Sequence, residues 1–341
     1  MNKLLSEGKL LNSEGNLNEA GFAYSLVKEY DRNDIKAKKS RIKEWDYYYV
    51  GNNKYGFALT IDDNSYMTML SFSFLDFENK KEITKSKMKL LTRKHVKFPS
   101  TSKIGDVELV YGDDAYLRFF NDGVKRHLVG AFSNFDGKKE IGVDITLKET
   151  MDGSMVIATP FEKPKHFYYN QKINCLKASG CVVIGEEEYN LDDCYGVLDW
   201  GRGVWTYKNT WYWSSLNGEF NGKTIGFNLG YGFGDTSAAS ENMFFYDGKC
   251  YKLDDVSFNI PKKDNKDDYL SPWTFTSNSS ECKIELDFEP ILDRYANTNV
   301  IIIQSLQHQV FGKFSGKITV SGQVFEFSDL VGFAEKVMNK W

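Results

Sequence analysis

The chain has 341 residues, with 43 Lys and Arg against 47 Asp and Glu, a formal net charge of −4. That length buries a substantial core and points to two domains or one large β fold. The near-balanced charge disfavours a nucleic-acid partner, and an aromatic content of 15% excludes disorder and coiled coil while favouring strands.

Residues 1–40 read as a polar N-terminal lead-in with one short helix. The basic run Lys36, Lys38, Lys39 and Arg41 reads as a solvated face ahead of a phosphate site. No apolar run of signal-peptide length opens the chain. Its most apolar stretch, Val300-Ile301-Ile302-Ile303, falls far short of the ~20 residues of a spanning helix. A soluble, cytoplasmic chain with no transmembrane segment is expected. Five cysteines, Cys175, Cys181, Cys194, Cys250 and Cys282, include no Cys-x-x-Cys pair. Free, packed thiols are therefore expected, ahead of disulfides or zinc.

From Trp45 onward the text alternates between strands and turns. Trp45–Val50, Tyr55–Ile61 and Met67–Phe77 are separated by Gly-Asn-Asn and Asp-Asp-Asn turns, the signature of antiparallel hairpins. Gly-Asp and Asp-Gly turns continue to Asp152-Gly153 with no long helical period between them. Trp211-Tyr212-Trp213 leading to Gly226-Phe227-Asn228-Leu229 parallels Trp45-x-Tyr47 leading to Gly56-Phe57-Ala58-Leu59. His308–Ser315 likewise parallels His127–Ser133, and Ile284–Phe288 parallels Leu117–Asn121. These repeats predict an all-β chain of two similar antiparallel β-barrel domains. The expected layout is a first domain over 41–165, connecting strands over 166–194 and a second domain over 195–341. A cleft between the two is a natural ligand site.

The densest segment is Leu198-Asp199-Trp200-Gly201-Arg202-Gly203-Val204-Trp205. With Trp211 and Trp213 it places four tryptophans within fourteen residues. The two glycines suggest a tight turn at Arg202, and Asp199 and Arg202 are close enough to pair. Asp199 could serve as a buried general acid or sit beside a cation held by aromatic faces. An Asp–Arg pair that fixes the turn is the structural alternative. Glu241 could join Asp199 as a second carboxylate, as in glycoside hydrolysis, or could bond at a strand start. His95, His127, His166 and His308 have no metal-ligand spacing, and His308 in aromatic company is a candidate base or a structural histidine. Gly226, Gly230, Gly232 and Gly234 precede no helix, so neither a dinucleotide nor a P-loop fingerprint is present. No metal and no cofactor are expected.

Together these segments resemble the bacterial domain-of-unknown-function family numbered 2804. The carriers are Arg41–Trp45, Tyr169–Lys172, Leu198–Trp205, Trp211–Trp213, Gly226–Leu229, Glu241-Asn242, His308–Gly312, Gly332–Glu335 and Trp341. The plan is also similar to tandem lipocalin-like (calycin) proteins such as the carotenoid hydratase group. That similarity implies two calycin-type domains around an apolar ligand and, in some members, protonation of a carbon–carbon double bond by an acid. Asp199 and Glu335 are the positions onto which that role is carried. The first expectation is a binding protein for a small apolar or amphipathic molecule of isoprenoid or acyl type. Its pocket would use Tyr169, Trp205, Trp211, Trp213, Asn228 and Glu335. The second is a hydratase, isomerase or cyclase in which Asp199 is the acid and Arg202, Glu241 and His308 assist. The third is a carbohydrate-active protein using Asp199 and Glu241. The oligomeric state is left open.

Overall fold

A computed structural model describes residues 2–90, 96–277, 279, 281–300 and 303–340. His95 and Trp341 lie outside the described residues. The chain is nearly all β and builds two large antiparallel sheets. The first holds β1 (Ile42–Gly51), β2 (Tyr55–Asp63), β3 (Met67–Asp76), β4 (Lys81–Leu90), β5 (Val107–Tyr111), β6 (Ala115–Asn121), β7 (Arg126–Asp136), β8 (Lys139–Lys148), β9 (Phe167–Ile184) and β10 (Tyr195–Val204). Their order in space is β4-β3-β2-β1-β10-β9-β8-β7-β6-β5. The second holds β11 (Lys208–Phe220), β12 (Lys223–Tyr231), β13 (Met243–Tyr246), β14 (Lys249–Lys252), β15 (Ser257–Asn259), β16 (Trp273–Thr276), β17 (Lys283–Val300), β18 (Ile303–Val320) and β19 (Gln323–Lys340). Their order is β14-β13-β12-β11-β19-β18-β17-β16-β15.

The first sheet curls until its edges nearly meet. Lys87 reaches Asp114 at 2.8 Å, Lys81 reaches Asp136 at 3.3 Å, and the hydroxyls of Thr68 and Tyr111 lie 2.8 Å apart. Period-two alternation drives the curl: Leu128, Ile141, Val143 and Ile145 turn inward from β7 and β8 while their neighbours stay wet. The second sheet remains a curled half-barrel, with a core that includes Phe227, Phe288 and Phe314. β1 is buried on both faces. Tyr48 and Val50 enter the barrel, while Tyr47 and Tyr49 face the second sheet. Tyr49 packs on Phe311 and Phe333 at 5.4 and 5.7 Å. That double burial explains the run of aromatic residues in β1.

Several expectations need correction. The strands of 166–194 are no mere connection, because β9 pairs with both β8 and β10 inside the first sheet. Residues 195–204 belong to that sheet as well, so the second sheet starts at Lys208. The Asp-Trp-Gly-Arg-Gly segment is extended strand and forms no turn. Its Gly201 is needed for space, since a Cβ there would lie 1.9 Å from the indole of Trp45. The lead-in carries two 3-10 turns and short strands, and one of these, Gly21–Ala23, adds to the first sheet through the strand Met155–Pro160. Leu5, Leu10, Leu11, Leu26 and Tyr30 from it join the barrel core.

Of the proposed repeats, the first is borne out by register. Tyr47 pairs with Asp199 and Thr60, and Trp213 pairs with Glu335 and Gly230. The His127 and His308 segments are not equivalent. β7 is the fourth strand out from β1, whereas β18 is the second out from β11.

Candidate functional site

The two sheets meet along a seam where β9 and β10 pack on β11 and β12. The bulge at Cys175, a non-glycine residue with φ of 59°, breaks the alternation of β9 and turns Asn174 and Cys175 toward the second sheet. The Asn174 side-chain amide donates to Ser215 Oγ, Asn217 Oδ1 and the Phe227 carbonyl at 2.9–3.1 Å. Upstream, alternation places Tyr168, Asn170 and Lys172 on the seam face, and Tyr169 and Ile173 inside the barrel.

Lys172 and Asp199 are cross-strand partners, and their charged groups pair at 2.8 Å in near-complete burial. The same ammonium lies 3.7 Å from the centroid of the Trp213 ring, a desolvated cation–π contact. Asn170 Nδ2 donates to Asp199 Oδ1 at 2.6 Å and to the Trp200 carbonyl at 2.9 Å. On the facing sheet, both oxygens of Glu335 accept bonds. Trp211 Nε1 donates to Oε1 at 2.9 Å and Gln309 Nε2 to Oε2 at 3.0 Å. Arg294 fixes the Gln309 amide by donating to its Oε1 at 2.7 Å. Asn228 bridges Trp213 and the loop before β13: it accepts from Trp213 Nε1 and donates to the Glu241 carbonyl, both at 2.7 Å.

The Glu241 carboxyl rests on Gly230, where a Cβ would stand 2.8 Å from Oε1. Three buried carboxyl groups, Asp199, Glu241 and Glu335, thus converge around one buried ammonium. Burial pushes both Glu241 and Glu335 up to about 7; the Lys172 charge opposes that rise and the Asp199 charge adds to it. Tyr168 faces the same three carboxyls, and burial holds its hydroxyl well above the usual phenol range. Trp45, Trp205, Trp211 and Phe233 wall the site in edge-to-face contacts, with centroids 4.8–5.8 Å apart. Trp211 is only half-buried, so the wall opens there. Buried carboxyl groups held near neutrality are suited to proton transfer.

Of the residues singled out from the sequence, Asp199, Glu241, Glu335, Asn228, Trp205, Trp211 and Trp213 come together. Three do not. Arg202 lies three residues from Asp199 and so projects from the opposite face of β10, into the first barrel. It donates there to Asp46 Oδ1 at 3.0 Å and to the Trp45 carbonyl at 2.7 Å, sandwiched between Trp200 and Phe98. The expected Asp199–Arg202 pair is therefore replaced by Lys172–Asp199 and Arg202–Asp46. Tyr169 is also inside that barrel, donating to the Lys28 carbonyl at 3.1 Å. His308 faces away from Glu335 into the half-barrel, bonded to Asp293 at 2.6 Å and stacked on Tyr269 at 3.8 Å. Sequence reasoning missed Lys172, Asn170 and Gln309. For two of them a signal was present, since Asn170 and Lys172 stand two residues apart, and so on one face, directly after the aromatic run Phe167-Tyr168-Tyr169. Among the described residues, no group of three or more His, Cys, Asp and Glu is placed to hold a metal ion. No helix is long and apolar enough to cross a membrane.

Comparison with known proteins agrees with this architecture. The family model described as domain of unknown function DUF2804 matches residues 1–341, and the chain belongs to that family. No curated protein matches it. Among solved structures it is similar to NE1406 of Nitrosomonas europaea, provisionally assigned as AttH. The two share 14% identity with a TM-score of 0.53, over 91% of this chain and 97% of that one. Kievitone hydratase from Nectria haematococca is similar at 14% identity and a TM-score of 0.54, over 99% and 98% of the two chains. At these identities the likeness is one of fold, the tandem lipocalin-like plan.

Proposed function

We propose that the chain binds a small apolar or amphipathic molecule at the tryptophan-walled seam and transfers a proton to a carbon–carbon double bond in it. The observation that carries this reading is the convergence of Asp199, Glu241 and Glu335 on Lys172 beneath an aromatic wall. Asp199 was the expected acid, but its charge is matched by Lys172 at 2.8 Å. Glu241 is the better donor, because burial favours its neutral form and no described N–H group donates to its carboxyl. Glu335 accepts three N–H bonds, from Trp211, Gln309 and Gln307, which favour the anion, and it serves as the base. In a hydration the Glu241 proton goes to one alkene carbon and the resulting cation faces the indole rings. Water then adds to the other carbon and gives its proton to Glu335. A proton returning from Glu335 to Glu241 completes the cycle. The similarity in fold to kievitone hydratase is compatible with such chemistry. Five free thiols fit a reducing, cytoplasmic setting.

The test has two arms. Native mass spectrometry of the purified protein should reveal a bound apolar molecule. Incubation with a panel of apolar alkenes in D2O, kievitone among them, should place deuterium on carbon, and Glu241→Gln should abolish that exchange. The proposal fails if no apolar molecule binds, or if the folded Glu241→Gln variant exchanges at the wild-type rate.

A further inference from the structure

The register that equates Tyr47–Asp199–Lys172 with Trp213–Glu335–Gln309 extends to the concave faces of both sheets. Three residues further along each strand, the first sheet carries the row Glu44–Arg202–Tyr169 and the second carries Thr210–Met338–Leu306. In the first sheet this level is full. Arg202 fills it, and the lead-in closes over it through Tyr30, which donates to Glu44 at 2.7 Å. In the second sheet the same level borders an open cleft of about 400 Å³.

The cleft is graded. One step inward along the strands from the residues that line it is the row Tyr295–His308–Lys336–Tyr212, whose cations are matched: His308 by Asp293 and Lys336 by Asp267, both at 2.6 Å. The middle row is apolar at Leu306 and Met338. The outer row is Asn299–Gln304–Lys340–Lys208, in which Lys340 and Lys208 are direct cross-strand partners. Like charges facing each other across a ladder are unfavourable, and among the described residues neither lysine pairs with a carboxylate. Two exposed ammonium groups beside amides, ahead of an apolar and then an aromatic row, match one ligand chemistry.

We infer that the open mouth of the half-barrel binds an amphipathic organic anion, separate from the seam. Its carboxylate or phosphate head lies between Lys208 and Lys340, and its apolar body lies along Leu306 and Met338 toward Tyr295. Isothermal titration calorimetry with laurate, dodecyl phosphate and dodecanol tests this. At least one of the two anions should bind at least about tenfold more tightly than dodecanol, the scale of one charge-assisted contact. Whichever anion is tighter identifies the head group. Lys208→Ser with Lys340→Ser should weaken that anion at least about tenfold, and the paired Lys→Arg variant should restore it. Met338→Trp, which fills the cleft, should block it. The inference is overturned if neither anion binds or if dodecanol binds equally well. It is also overturned if the double serine variant and Met338→Trp, both shown folded by circular dichroism, leave the anion's affinity within twofold.

Discussion

Arg202 and Met338 occupy corresponding places in two sheets of one topology, yet one is fully buried and the other is 39% exposed. The first sheet spends its interior on a charged lock. Arg202 and Arg32 both engage the Glu44–Asp46 pair, Tyr30 donates to Glu44, and the lead-in is thereby tied to β1. Among the described residues the second sheet has such cover over most of its concave face, where Phe227, Phe288 and Phe314 are buried and Tyr269 stacks on His308, but none over Met338, which stays open to solvent. The same ladder can therefore serve as a packed support or as an open receptacle, depending on what covers one row of side chains.

The sharpest way to break this contrast is Arg202→Met, which installs in the barrel the residue that the half-barrel carries. Glu44 and Asp46 would lose a buried cation, and stability should fall by about 3–5 kcal/mol in urea denaturation followed by tryptophan fluorescence. A loss below about 1 kcal/mol would mean that the lock contributes little. Gly201→Ala probes the seam-facing side of the same strand. The equivalent position under Trp211 is Val337, whereas Gly201 admits the Trp45 ring. Displacing that ring should cost about 1–3 kcal/mol and disturb the near-ultraviolet tryptophan dichroism.

A smaller effect separates the seam by its acids. The folded state holds Glu241 and Glu335 protons up to about 7, against 4.5 for the free side chain. It therefore binds more protons than the unfolded chain between those values, and their contribution to stability falls as pH rises from about 4.5 to about 7. Asp62, also pushed up by burial to about 7, acts in the same direction. Lys43 and Lys252, pushed down by burial to about 7, act oppositely: their contribution rises from about 7 toward 10.5. The wild-type urea midpoint should therefore dip near neutrality. Glu241→Gln should make the fall on the acid side shallower while leaving the alkaline rise in place. The smallest effect expected is Met338→Ala. At a half-open site it should cost under about 1 kcal/mol, in contrast to Arg202→Met.

Strand periodicity and turn residues made the all-β plan and the Trp45/Trp211 hairpin repeat legible, because both signals lie within about twenty consecutive residues. The seam was half legible. The tryptophans and Asp199 marked the place, since alternation is local and Asp199 and Trp205 are close in sequence. Their partners were hidden, because Lys172 stands 27 residues before Asp199 and Glu335 stands 124 residues after Trp211. Only strand pairing brings them together. Arg202 misled because nearness in sequence was taken for nearness in space, whereas an odd spacing along a strand puts two side chains on opposite faces. The lead-in misled because its scattered leucines have no period, although Leu5, Leu10, Leu11 and Leu26 find places in the barrel core. His127 and His308 share their neighbours' composition, but ladder position, which composition does not encode, separates them.

The single extra residue at Cys175 has a consequence for how the molecule comes apart. β9 is hydrogen-bonded into the first sheet along its length, yet at that point Asn174 is committed to three groups of the second. Neither sheet can melt alone without stranding a buried amide. The bulge therefore acts as a rivet that joins the cooperativity of two sheets, so heating should produce one calorimetric transition for both.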